Sequence, residues 1–76
     1  MIVYTKPDCP NCIQLKQYLA NKSIPYKTIE LDFGQETDNE LITIEEFKSQ
    51  YPTVSAMPLW THGTETGGLA MAKRLF

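Results

Sequence analysis

Two cysteines stand three residues apart in Cys9-Pro10-Asn11-Cys12, and the chain has no others. Such a pair exchanges thiols for disulfides when one sulfur is an accessible thiolate near neutral pH and the other can displace whatever the first has captured. A helix beginning at this motif meets both needs. Cys9 would then sit where unpaired backbone N–H groups and the positive end of the helix dipole favour an anion, so its thiol is expected exposed and more acidic than the free value of about 8.5. Cys12, one turn further in, is expected to be more buried and to stay a thiol. Pro10 suits the first helical turn, where its missing N–H would have had no partner.

A zinc site is the chemical alternative, but a structural zinc takes four ligands, mostly Cys and His, and only His62 is left to join the two cysteines. A purely structural disulfide is the other alternative. Lys6, three residues before Cys9, either stabilises a thiolate or a substrate carboxylate, or is a solubilising loop lysine. Asp8 would oppose thiolate formation by like charge if it pointed inward, so it is expected to face water.

The elements around the motif fit the redox reading. Ile2, Val3 and Tyr4 form a short apolar run stopped by Lys6-Pro7-Asp8, a buried strand entering a loop. From Pro10 to about Asn21, Cys12, Leu15, Tyr18 and Leu19 recur at helical spacing. Residues 26–33 alternate with a period of two, which puts Ile29, Leu31 and Phe33 on one face of a second strand. Strand, helix and strand make a βαβ unit, hence a parallel pair with a right-handed crossover.

Gly34 to Asn39 reads as a polar loop. Thr43-x-x-Glu46 is a capping box before a short helix that ends ahead of Pro52. Leu59-Trp60-Thr61, a turn at His62-Gly63-Thr64, and Glu65-Thr66 form a closing hairpin, and a last helix runs from Leu69 to Phe76. The expected architecture is α/β, in the order βαβαββα, with a central four-stranded mixed sheet flanked by helices. Trp60, Phe47, Tyr51 and Phe76 are expected in the core.

At 76 residues the chain is expected to be one domain, residues 1–76, with no separate substrate domain. A net charge of -2 lacks the basic footprint of a nucleic-acid binder. From Glu30 to Glu46 acidic residues crowd a stretch with no basic one, which predicts one acidic, solvated side. With no leader-like start and no run long enough to span a membrane, the expectation is a cytoplasmic monomer without membrane contact.

Four features together resemble the glutaredoxins. They are Lys6-x-x-Cys9-Pro10-Asn11-Cys12, Tyr51-Pro52-Thr53-Val54, Met57-Pro58 and Gly67-Gly68, in the family's order along the whole chain. The resemblance implies a thioredoxin-like fold and electron transfer from glutathione to protein disulfides, with Cys9 and Cys12 catalytic. Glutathione enters as co-substrate, with no bound cofactor and no metal. The implied substrate and glutathione site comprises Lys6, Asn11, Met57, Pro58, Gly67, Gly68 and Leu69. Pro58 would be a cis-proline facing the active site, and Met57 would offer its backbone to the bound cysteine.

Departures from the family's commonest pattern are also visible. Asn11 stands where Tyr is usual, Ser55-Ala56-Met57-Pro58 replaces Thr-Val-Pro, and Leu69-Ala70 occupy positions where polar residues often hold the glutathione amino group. Relatives that serve ribonucleotide reductase and draw electrons from thioredoxin reductase share such losses. That makes them the alternative enzyme reading. A further alternative is a carrier that bridges a [2Fe–2S] cluster between two subunits, although the proline after Cys9 is usual in members that do not.

Overall fold

The computed structural model describes residues 1–54 and 56–76; Ser55, the first residue of the Ser55-Ala56-Met57-Pro58 departure, lies outside them. The chain runs β1 (Ile2–Thr5), α1 (Pro10–Asn21), β2 (Lys27–Leu31), β3 (Glu40–Ile42), α2 (Ile44–Gln50), β4 (Leu59–His62), β5 (Glu65–Gly67) and α3 (Leu69–Leu75). The strands form one mixed sheet in the order β3-β2-β1-β4-β5. β1 pairs parallel with β2 and antiparallel with β4, and the closing hairpin adds β5 antiparallel to β4. This is the thioredoxin-like α/β architecture.

The sheet has five strands where four were expected, because Glu40–Ile42 pairs parallel with β2, with Leu31 opposite Ile42. Three residues with only Ile42 buried carry too little alternation to read as a strand. Parallel strands are usually joined by about a dozen residues or more, yet residues 32–39 suffice here. The Glu30 carboxylate explains how. It accepts hydrogen bonds from Asn39 Nδ2 at 2.7 Å, Gln35 Nε2 at 3.0 Å and Thr37 Oγ1 at 3.3 Å, tying the returning loop to β2. The same bonds, Gln35 first, hold the Glu30 carboxyl below its ordinary range.

Phe33 departs from expectation in the same region. β2 ends at Leu31, and Gly34 N–H donates to Asp32 Oδ1 at 3.0 Å, with Gly34 at φ 82°. This turn lifts Phe33 off the strand and leaves it 57% exposed.

Alternation along the strands sorts the core onto two faces of the sheet. Tyr4, Ile29, Leu31, Ile42 and Leu59 pack with Phe47 of α2 on one face. Val3 and Trp60, their immediate neighbours in sequence, pack with Leu15 and Leu19 of α1 and Ala72 of α3 on the other. The expected aromatic core is present: Tyr4, Phe47 and Tyr51 have ring centroids 5.3 Å apart, and Phe76 meets Trp60 edge-on. No helix among the described residues is long and apolar enough to cross a membrane.

Candidate functional site

The sulfurs are placed by the passage from β1 into α1. Asp8 adopts φ 55°, a left-handed conformation that Asp tolerates, and its exposed side chain faces water as expected. The chain then turns so that Cys9 is the N-cap of α1, with Pro10 opening the helix. The Cys12 N–H donates to Cys9 Sγ at 3.2 Å, and the Ile13 N–H donates to the Cys9 carbonyl at 3.2 Å. Cys9 and Cys12 are joined by a disulfide with their Cα atoms 5.2 Å apart, inside the range a disulfide requires.

Both cysteines are buried, Cys9 at 5% and Cys12 at 2% exposure, so the expectation of an exposed Cys9 is corrected for this oxidised state. The physical reason is the N-cap geometry. Bonded to Cys12 and held by its N–H, the Cys9 sulfur folds back over the first turn of the helix. Cys12 lies inside the turn and is the more enclosed of the two cysteines.

Asn11, between the cysteines in sequence, lines a groove of about 520 Å³ with Met57, Pro58, Gly68 and Leu69. Five of the sequence-predicted binding residues thus come together on one surface. The Met57–Pro58 bond is cis, the isomer the resemblance implies, and Pro58 is buried. The volume falls in the range of roughly 300–1,000 Å³ usual for small-molecule sites. No charged side chain lines this groove among the described residues.

Lys6 and Gly67 are placed elsewhere. Lys6 lines a second recess, which shares only Ala56 and Met57 with the groove. Gly67 faces the core: a Cβ there would lie 2.5 Å from Met71 Sδ and 2.9 Å from Trp60 Cζ2. Its missing side chain makes room for Trp60, whose Nε1–H donates to the Gly68 carbonyl at 2.8 Å and so fixes the start of α3 beside the groove. Leu69 serves both sides, lining the groove while packing against the Trp60 core.

Three lining residues were not among the sequence-predicted site: Ala56, Ala70 and Met71. Met71 had a faint signal as an apolar residue on the outer side of a short helix, where it is 45% exposed. The alanines had none. No group of three or more His, Cys, Asp or Glu side chains suited to a metal ion occurs among the described residues.

The glutaredoxin family model matches residues 1–56. The matched segment contains both cysteines and Lys6 and ends just before Met57, so the groove walls from Met57 to Met71 rest on the geometry described above. No curated protein matches the chain, and no solved structure does.

Proposed function

We propose that this chain, which belongs to the glutaredoxin family and is a thiol–disulfide redoxin, reduces protein disulfides and glutathione mixed disulfides in the cytoplasm as a monomer, with glutathione as electron donor. The observation that carries the reading is the Cys9–Cys12 disulfide at the start of α1, beside a groove of small-molecule size. In the reduced protein the Cys9 thiolate attacks a substrate disulfide and the leaving thiolate departs. Cys12 then loses its proton and attacks the Cys9 sulfur, releasing the second substrate thiol and restoring the intramolecular disulfide. Two glutathione molecules then reduce that disulfide in successive exchanges and leave as glutathione disulfide. Ribonucleotide reductase is a substrate of the kind this chemistry serves.

Within the groove, Met57 would pair its backbone with the cysteinyl part of glutathione, and the glycine carboxylate would reach past Met57 to Lys6 in the adjoining recess. The γ-glutamyl end would depend on Asn11, Gly68 and the first backbone N–H groups of α3. Leu69, Ala70 and Met71 supply no carboxylate for its ammonium. That apolar wall favours a second reading, reduction by thioredoxin reductase. One pair of assays separates them: reduction of a glutathione mixed disulfide driven by glutathione, and reduction of the same chain by thioredoxin reductase. Activity with glutathione supports the first reading; activity with thioredoxin reductase alone would replace it with the second. A [2Fe–2S] carrier would instead show visible iron–sulfur absorption when purified without oxygen.

A further inference from the structure

Beside the groove, across Met57, lies a smaller cavity of about 230 Å³. Ile44, Phe47 and Val54 give it apolar walls, Phe33 adds an exposed ring, and Lys6 and Lys48 are the charged groups that line it. It is smaller than the roughly 300–1,000 Å³ of small-molecule sites, which leaves room for part of a partner and not for a whole ligand. The chain has a net charge of -2, yet both charged groups here are cations. Neither takes part in an ion pair; the one found among the described residues joins Lys27 to Glu40.

We infer that this cavity selects protein substrates, taking an apolar side chain near the reactive cysteine and a carboxylate two residues beyond it on the same face. The inference rests on the reading of the chain as a dithiol reductant. A segment whose cysteine is captured by Cys9 and whose backbone pairs with Met57 is extended, and its side chains alternate, so the residue two places from the cysteine points the same way as the cysteine. Met57 walls both recesses, which puts the cavity next to that segment. The apolar residue fills the space between Phe33 and Val54, and an acidic residue two places beyond it, on the same face of the segment, meets Lys6 and Lys48. Phe33 and Lys48 take no part in the exchange itself, so they set specificity without setting the rate of sulfur chemistry.

The test uses three capped peptides, each with its single cysteine disulfide-linked to thionitrobenzoate: Glu-Gly-Leu-Gly-Cys-Gly-Leu-Gly-Glu, the same peptide with Ala for Leu, and the same with Lys for Glu. The Cys9 thiolate of the reduced protein attacks the peptide sulfur and releases coloured thionitrobenzoate; Cys12 then displaces the peptide thiol and closes the disulfide. The Leu/Glu peptide should react about tenfold faster than its Ala counterpart, the effect of one buried apolar side chain. It should react about threefold faster than the Lys counterpart, the size of an exposed charge pair. Phe33→Asp should shrink the first ratio and Lys48→Glu should invert the second, with the rate towards bis(2-hydroxyethyl) disulfide unchanged in both. Equal rates for the three peptides, or ratios that neither variant alters, would overturn the inference while leaving the dithiol chemistry intact. Absence of reaction with every disulfide would overturn both.

Discussion

The two recesses that meet at Met57 are opposites in chemistry. The groove beside Asn11, Pro58 and Gly68 is large and bears no charged side chain, so a ligand there depends on backbone groups and shape. The cavity beside Phe33 and Val54 is less than half that volume, apolar, and lined by two lysines. Glutathione carries charge at both ends, and a protein segment carries side chains on alternate faces. The division suits the function proposed above, in which backbone groups of the groove hold most of the small-molecule partner and the lysine-lined cavity sorts protein partners.

The largest expected effect removes the chemistry that both recesses serve. Cys9→Ser should abolish disulfide reduction with every substrate, small or large, whereas Cys12→Ser should still form the mixed disulfide and, with no thiol added, stop there. Trapped adducts are read by mass spectrometry. Labelling of Cys12 before Cys9 by an alkylating agent at mildly acidic pH would reverse the roles assigned to them.

Gly67→Ala strikes the groove side from behind. Its Cβ would collide with Met71 and with the enclosed Trp60 ring, so a loss of about 1–3 kcal/mol in stability is expected, read by urea unfolding. The disturbance should reach the groove through Met71 and leave the Lys48 cavity unaffected. Ala70→Asp then sharpens the contrast by placing a carboxylate on the uncharged wall. A charged hydrogen bond is worth about 1.5–3 kcal/mol when fully formed, and exposure at Ala70 reduces that, so a fall of about three- to tenfold in glutathione KM is expected, with little change towards dithiothreitol. An unchanged KM would show that the glutathione ammonium lies away from α3.

The smallest effect concerns the edge that carries Phe33. The Phe33 N–H donates to Gln35 Oε1 at 2.8 Å, and Gln35 in turn donates to Glu30, so Glu30→Gln should loosen this side of the cavity. The Glu30 carboxyl is held below its ordinary 4.5 in the folded chain, so its contribution is fully present above that value and disappears as pH falls through the lowered one. The variant should lose about 1 kcal/mol or less at neutral pH and converge with the parent in acid, read by thermal unfolding across pH. A difference that persisted at low pH would assign the effect to packing.

Legibility in the sequence followed the range of the interactions. The span of α1, the capping of α2 by Thr43, whose Oγ1 accepts from the Glu46 N–H at 3.1 Å, and the two-faced sorting of Val3 and Tyr4 depend on neighbours a few residues away. Periodicity and capping chemistry encode these directly. The cysteine pair at a helix start is local in the same sense, and its chemistry follows from residue type and spacing.

Long-range placement was decided only by the tertiary structure. Glu40–Ile42 is a strand because the Glu30 carboxylate gathers a loop that has no period of its own, and Phe33 is exposed because an Asp32–Gly34 turn ends β2 two residues early. Lys6 and Asn11 belong to separate recesses although only four residues lie between them in sequence. Gly67 and Gly68 are adjacent, yet one faces Trp60 and the other lines the groove. A sequence records which groups are available and how the chain turns locally. Which groups share a surface depends on how distant elements pack, and for Met57, Lys48 and Leu69 that follows from the docking of α2 and α3 on opposite faces of one sheet.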